Sequence, residues 1–160
     1  MRTLQQSRKP KKTRPKSSSR LSPPTRMPNA QRSSTMRAVR SSNTAPELSV
    51  REVLRSFRYR PLFNSRAIAG TPDAALPRLK KAIFVHGCFW HGHKCQRGDR
   101  MPKTNRSYWR SKIARNIARD ARVARTLRAL GWDVLVVWEC QTHNQARLSR
   151  RVKDFIRRTA

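Results

Sequence analysis

Two apolar runs and one long amphipathic segment dominate the hydrophobic pattern of the chain. Residues 81–86 (KAIFVH) and 133–138 (DVLVVW) are short, apolar and rich in β-branched side chains, so each predicts a buried strand. Between them, residues 104–130 place apolar side chains at three- and four-residue steps, which predicts a helix that ends at Gly131. Two buried strands joined through a long helix predict an α/β core.

Weaker patterns predict further elements around this core. Thr44 can cap a helix that has Pro46 in its first turn and Glu47 three residues after the cap, a capping-box arrangement. The other segments are predicted as an irregular stretch at 58–72, a short strand at 73–76 and a basic terminal helix at 145–158.

The first part of the chain differs in composition from the rest. Residues 1–46 hold twelve Lys and Arg, six of the ten prolines and no acidic residue. Such a segment buries too little apolar surface to offset its conformational entropy, so we predict a disordered basic tail over 1–33 and a folded domain over 34–160. The tail either adds non-specific DNA affinity or is a solvated extension without a specific role.

The net charge indicates the kind of partner. With 38 Lys and Arg against 8 Asp and Glu, the formal charge is +30, which favours a polyanion and nucleic acid first. An anionic membrane surface is the weaker alternative, because no basic helix has a bulky apolar face to spare. A ribosomal or chromatin protein without catalysis fits the charge equally well.

Targeting and membrane signals are sparse. No apolar stretch approaches the roughly 20 residues of a membrane helix, so no membrane span is predicted. The N-terminus lacks the apolar core of a secretion signal, although its Arg- and Ser-rich composition also fits an organellar transit peptide. Three cysteines without a secretion signal argue against a disulfide framework and favour metal ligands or free thiols.

A dense group of potential metal ligands follows the first strand. Residues 86–95 (HGCFWHGHKC) contain three of the four histidines and two of the three cysteines. Cys88, His93 and Cys95 offer three ligands, and Cys140 is the only other cysteine, so the sequence predicts a closed Cys3His zinc site of the structural kind. Such a metal would tie the loop to the sheet and contribute folding free energy, whereas the alternative is a set of unligated cysteines.

The same loop carries two adjacent aromatic residues, Phe89 and Trp90. Aromatic side chains this close to metal ligands either pack over the metal site or act as wedges that enter a DNA base stack. The spacing alone favours packing.

The carboxylates are few, and one of them has a suggestive context. Asp73 follows Pro72 and precedes the first clear strand, which resembles the first half of the PD-(D/E)xK nuclease signature. Hard oxygen ligands of this kind suit Mg²⁺. The second half, an acid-x-Lys, is missing, because Val85 and His86 stand at the strand end instead. Taken alone, the Pro-Asp pair favours a turn residue at Asp73 over a metal ligand.

Several blocks together resemble the very short patch repair (Vsr) mismatch endonucleases. The resemblance spans about 36–142, and the block at 84–95 is its most specific part. The matching segments are MRAVRSSNTAPE at 36–47, GTPD at 70–73, FVHGCFWHGHKC at 84–95, PKTN at 102–105, YW at 108–109, N at 116, RD at 119–120 and GWDVLVVWEC at 131–140.

The resemblance implies a fold and an activity. The fold would be a restriction-endonuclease-like core, a mixed sheet flanked by helices, with a structural zinc site. The activity would be a Mg²⁺-dependent nick 5′ to the thymine of a T·G mispair that arises from 5-methylcytosine deamination. The partner would be double-stranded DNA carrying that mispair, with repair-pathway proteins as possible further partners. A monomer in the bacterial cytoplasm, associated with the nucleoid, is expected.

The resemblance also implies roles for individual residues. Asp73 and the Val85 carbonyl would hold Mg²⁺, and Glu47 would reach its water shell. His91 would be the general acid/base, while His86 would support the metal-bound water and the scissile phosphate. Zinc would be bound by Cys88, His93, Cys95 and Cys140. The residues expected to touch DNA are Phe89, Trp90 and Trp109 as wedges from the major groove, Met36 from the minor groove, and Asn116 and Asp120 as readers of the mispair.

Some positions depart from the family pattern. Residues 58–69 differ from what is usual before the Pro-Asp pair, and Ala74 and Ala75 stand where bulky apolar residues are usual, which predicts a weak strand. Two alternatives follow from these departures. Beside the mismatch endonuclease, the chain could be a catalytically inactive, zinc-stabilised DNA-binding protein or a relative with a different DNA specificity.

Overall fold

The computed structural model describes residues 43–57 and 59–158. These residues form a mixed sheet of four strands with three α-helices. In chain order the elements are α1 Ala45–Ser56, β1 Leu62–Phe63, β2 Ala74–Leu76, β3 Lys81–His86, α2 Arg106–Ala129, β4 Asp133–Trp138 and α3 Gln145–Arg157. Short 3-10 turns follow β2 and β4, at Pro77–Leu79 and Glu139–Gln141.

The sheet has the order β1-β2-β3-β4. β1 and β3 each pair antiparallel with β2, whereas β4 pairs parallel with β3 over six residues, from Lys81 opposite Asp133 to His86 opposite Trp138. A parallel pair needs a crossover connection, and α2 provides it. The prediction of an α/β core built on two strands and a connecting helix is therefore confirmed.

The main hydrophobic core lies on one face of the sheet, under α1 and α3. Side chains at alternate strand positions point to opposite faces, so Ile83 and Val137 enter this core while their neighbours face α2. The helices contribute an apolar stripe each, consisting of Val50, Val53 and Leu54 from α1 and Leu148, Val152, Phe155 and Ile156 from α3.

The structure differs from the sequence predictions in three places. The stretch predicted as irregular contains β1, a two-residue edge strand whose Phe63 packs against the core. At α1, Thr44 is the N-cap, but it makes no capping bond to the backbone; its hydroxyl donates to Glu47 Oε1 at 2.9 Å instead. Ala74 and Ala75, predicted to weaken β2, are fully buried in a strand that pairs on both sides.

Two predictions fall outside the described residues. These are the disordered tail over 1–33 and the minor-groove role of Met36. Among the residues that the structure describes, no helix is long and apolar enough to cross a membrane.

Candidate active site and metal centre

A cleft of about 660 Å³ opens between α2 and the face of the sheet that points away from the main core. Its floor consists of strand residues: Phe84, Val85 and His86 of β3, and Val134, Val136 and Trp138 of β4. Its polar side chains come from four separate segments of the chain. They are Glu47, Thr71, Asp73, His86, His91, Arg119 and Asp120.

Asp73 lies at the entrance to β2, where its carboxylate reaches across to the neighbouring strand. Its Oδ2 accepts the Val85 N–H at 2.7 Å. Burial raises the pKa of Asp73 to about 6, the Val85 N–H partly offsets this, and the nearby Glu47 carboxylate raises the pKa further. A cation bound beside Asp73 would therefore favour the charged carboxylate.

Glu47 is buried at the start of α1, only 6% exposed. Its Oε2 accepts the Asn43 N–H at 2.8 Å, and its Oε1 accepts the Thr44 hydroxyl. The helix start thus fixes this carboxylate at the cleft wall, in the same cleft as Asp73.

His86 and His91 stack on each other at the end of β3. Their ring centroids are 3.9 Å apart and their planes differ by 10°. Burial, followed by the charge of His91, lowers the pKa of His86 to about 4, so this imidazole is neutral at neutral pH. A neutral imidazole can both donate and accept a hydrogen bond.

Asp120 contacts His91 directly. Its Oδ2 lies 2.5 Å from His91 Nδ1. An ionised carboxylate only accepts, so in a neutral His91 ring this contact leaves the proton on Nδ1 and the lone pair on Nε2. The structure thus places Asp120 in the cleft, oriented toward a histidine. His86, His91 and Asp120 also form a group whose ligand atoms lie within 4.8 Å of one another.

The predicted zinc ligands converge beside the cleft. One ligand atom from each of Cys88, His93, Cys95 and Cys140 lies within 4.8 Å of all the others. A tetrahedral zinc with bonds of about 2.0–2.3 Å requires its ligand atoms to be this close. Three thiols and one imidazole match the Cys3His donor set of closed structural sites.

Backbone N–H groups support the sulfur atoms of this cluster. The Cys140 N–H donates to Cys88 Sγ and the Gly98 N–H to Cys95 Sγ, both at 3.4 Å. The Gly98 bond lowers the pKa of Cys95 to about 6, whereas burial raises the pKa of Cys88 to about 12. A bound cation would favour the thiolate at both positions.

Glu139 links the ligand loop to the end of β4. Its Oε2 accepts the Cys88 N–H at 3.3 Å, and its Oε1 accepts from Arg97 at 2.7 Å. Gly98 is required in the same loop, because a Cβ built there would lie 1.8 Å from the His93 carbonyl oxygen. Both features hold His93 and Cys95 near the sheet.

Trp138 lies between the two sites. Its ring stacks on His93, with centroids 4.3 Å apart, and meets His86 edge-on at 5.4 Å. The residue is only partly buried and lines the cleft from the last position of β4.

The aromatic residues form one cluster next to the cleft. Phe89, Trp90 and Trp109 meet edge-to-face, with centroids 5.1–6.0 Å apart, and the exposed Tyr108 extends the cluster. Asn116 donates its amide to the Trp90 carbonyl at 2.9 Å, so it positions the aromatic loop in this structure. The rings of this cluster therefore pack on one another.

Sequence reasoning missed three functional contacts. The pairing of Asp120 with His91, the cleft position of Arg119 and the bridging role of Glu139 each join segments distant along the chain. Asp120 was itself expected at the DNA interface and Glu139 stands beside the predicted zinc ligand Cys140, and the acids are scarce enough for each to merit a partner.

Comparison with known proteins agrees with this site. The family model described as DNA mismatch endonuclease Vsr matches residues 26–97. The DNA mismatch endonuclease Vsr of Escherichia coli (strain K12) is 36% identical over 75% of this chain and 76% of its own length. The chain belongs to the Vsr family. It is thus a DNA-cleaving hydrolase, and DNA is its partner.

Two further relatives are more similar in sequence. The type II nicking enzyme V.XorIIP of Xanthomonas oryzae pv. oryzae is 44% identical over 76% of this chain and 88% of its own length. The type II nicking enzyme V.NmeAIP of Neisseria meningitidis is 40% identical over 79% of this chain and 95% of its own length. The chain therefore spans most of each relative.

Proposed function

We propose that this Vsr-family endonuclease nicks duplex DNA 5′ to the thymine of a T·G mispair left by 5-methylcytosine deamination, and so starts very short patch repair. One observation carries the proposal: Asp73, His86 and His91, which come from two separate parts of the chain, line a single cleft beside a cluster of four aromatic rings. The printed name of the Escherichia coli relative, a mismatch endonuclease, supports the mispair as substrate.

The cleft residues fit a magnesium ion. Because Asp73 Oδ2 accepts the Val85 N–H, the other carboxylate oxygen, Oδ1, is available to bind a metal ion. In an extended strand the N–H and C=O of one residue point to the same side, so the Val85 carbonyl faces Asp73 as well. Mg²⁺ prefers such oxygen ligands together with water. Glu47, a second carboxylate of the same cleft, would reach the water shell of the ion. When bound, the ion would offset charge on the phosphate and lower the pKa of water.

Hydrolysis also needs a base and an acid. His91, oriented by the Nδ1 contact to Asp120, would take the proton of the attacking water on Nε2. The new P–O bond forms as the bond to the 3′ oxygen breaks, and that oxygen takes a proton from solvent water as it leaves. His86, neutral and stacked on His91, would donate a hydrogen bond to the phosphate.

Zinc would have a structural role. We propose that Cys88, His93, Cys95 and Cys140 bind it, because the donor set is closed and leaves no position for water. The metal would join the loop that carries His91 and the aromatic residues to the end of β4. Loop rigidity matters here, since a catalytic group displaced by about 1 Å can cost two orders of magnitude in rate.

The aromatic cluster would recognise the mispair by wedging into the base stack. Phe89, Trp90 and Trp109 are partly exposed and sit at one end of α2. A wobble pair costs less to unstack than a Watson–Crick pair, so insertion selects it partly by deformability. Asn116 would act through the Trp90 carbonyl that it holds.

The wider organisation is proposed on the same basis. The mixed sheet with helices on both faces supports a restriction-endonuclease-like core over 34–160. We propose that the enzyme acts as a monomer in the bacterial cytoplasm, at the nucleoid, and hands its product to repair proteins.

An end-labelled duplex tests the specificity. Three duplexes that differ only at one pair, T·G, C·G or T·A, are incubated with Mg²⁺ and the products are mapped at single-nucleotide resolution. We expect one nick, 5′ to the mispaired thymine, and no nick in the other two. Equal cutting of all three, or a nick elsewhere, would show a different specificity; tight binding without scission would show an inactive relative.

A further inference from the structure

The cleft is lined by more carboxylates than lysine or arginine side chains, although its substrate is a polyanion. Among the described residues that line it, three are carboxylates and only one, Arg119, is a lysine or arginine. Phosphodiester hydrolysis adds negative charge to the phosphoryl oxygens, and enzymes place fixed cations there to stabilise it.

The strand that usually brings such a cation does not bring one here. At the end of β3, Val85 and His86 occupy the positions where the acid-x-Lys of related nuclease signatures would stand. The lysine of β3 itself, Lys81, is at the opposite end of the strand and pairs with Asp133 at 2.8 Å. A permanent cation must therefore reach the cleft from another element.

Arg119 reaches the cleft from the middle of α2. Its Nε and Nη2 donate to Asp120 Oδ1 at 3.4 and 3.2 Å, while Asp120 Oδ2 contacts His91. One carboxylate thus holds a guanidinium and an imidazole side by side. A guanidinium has five N–H groups, so three remain without a partner among the described residues, on a side chain that is 59% exposed.

We propose that Arg119 is a catalytic residue: its remaining N–H groups bind a non-bridging oxygen of the scissile phosphate and stabilise the charge that develops there in the transition state. Arg119 transfers no proton in this step. Its planar fork matches phosphate geometry, and Asp120 pre-orients it before DNA binds. Asp120 joins Arg119 to His91, which places the guanidinium within reach of the reacting groups. The inference rests on DNA cleavage by this cleft and not on the T·G specificity.

Arg122 provides a matched control on the same helix. It is exposed, lies three residues further along α2, and does not line the cleft. Arg119→Gln and Arg122→Gln therefore remove the same charge from the same helix, and only the first removes it from the cleft. Arg119→Lys keeps the charge and loses the fork.

Three measurements on the full-length protein test the proposal: the single-turnover nicking rate across pH, the affinity for the same duplex with Ca²⁺ in place of Mg²⁺, and the melting temperature. We expect Arg119→Gln to lower the rate about 10²- to 10³-fold, which is typical when one stabilising donor of a transition state is removed. The loss should be equal at every pH, with affinity and melting temperature close to those of Arg122→Gln. Arg119→Lys should recover part of the rate.

Other outcomes would overturn the proposal. A rate for Arg119→Gln within about threefold of Arg122→Gln would exclude a contact in the transition state. A displaced pH–rate profile would mean that Arg119 acts only through Asp120 and His91, and a parallel loss of affinity would mean general attraction to DNA. If Arg119→Gln does not fold, Arg119→Lys is compared with Arg122→Lys by the same criteria. The duplex is the one that the unaltered chain nicks fastest, so a wrong T·G assignment leaves this comparison intact.

Discussion

At the scale of residues, the site depends on charged groups that the fold places in environments unlike water. Asp73 is largely buried between a backbone N–H and a second carboxylate, so its proton is held up to a pH of about 6. His86 is buried without a counter-charge in contact and stays neutral. In both groups, burial disfavours the charged form. A bound cation would favour the charged form of Asp73, and a bound phosphate would favour that of His86.

Asp73 should therefore make stability depend on pH. Its pKa is about 6 in the folded protein against 3.8 for the free group, so the folded state binds the proton more tightly and loses stability as pH rises from about 4 to 6. Asp73→Asn has no such loss. In urea titrations without Mg²⁺, we expect the unfolding free energy of Asp73→Asn to rise relative to that of the parent between about pH 4 and 6, by at most about 3 kcal/mol. Above pH 6 the difference should stay constant.

Magnesium provides the control for this effect. Above pH 6, Mg²⁺ should raise the unfolding free energy of the parent and have little effect on Asp73→Asn, because the variant lacks the carboxylate that would bind the ion most directly. A stability difference that is independent of pH would contradict the assigned environment of Asp73.

At the scale of elements, the strands and the long helix follow from the sequence, whereas the contacts between them do not. The apolar runs and the three- and four-residue periodicity predict β3, α2 and β4 to within a residue or two, because buried strands and amphipathic helices leave local patterns. β1 leaves none, since a two-residue edge strand is defined by its partner. Likewise, nothing local indicates that Asp120 faces His91, because that contact depends on how α2 lies over the sheet.

The ligand loop is the element with the least tolerance for change. At Gly98, a methyl group would collide with the His93 carbonyl oxygen at 1.8 Å, and the backbone would have to move. We expect Gly98→Ala to lose zinc and to lower the melting temperature, since the proposed metal, rather than a core, would organise the loop. Zinc content by atomic absorption and a thermal melt measure both effects. Arg100→Ala, an exposed change in the same loop, should keep both values; zinc retained at full occupancy by Gly98→Ala would contradict this account of the loop.

At the scale of the whole molecule, the net charge of +30 sets how the protein meets DNA. Ten of the 38 basic residues lie in 1–33, so that segment should contribute to sequence-independent affinity. We expect its deletion to reduce the slope of log affinity against log salt, and to leave the single-turnover nicking rate at saturating enzyme unchanged. An unchanged salt slope would show that the segment does not contact DNA.

The composition predicted a nucleic-acid partner but not an enzyme, since charge records attraction and not catalysis. The catalytic interpretation came from Asp73 and from a short block of residues around 84–95. These residues can act together only if the fold brings them close to one another. The structure brings them to one cleft, and family membership identifies the reaction as DNA cleavage.

The single-turnover nicking rate of a T·G duplex is the measurement that tests the central claim most directly. Asp73→Ala and His91→Ala should each lower the rate by at least about 10²-fold while zinc and duplex affinity are retained, because each removes a group that acts on the reacting phosphate. His143→Ala, which removes an exposed histidine outside the cleft, should leave the rate unchanged. Parental activity in either Asp73→Ala or His91→Ala would show that this cleft does not perform the hydrolysis.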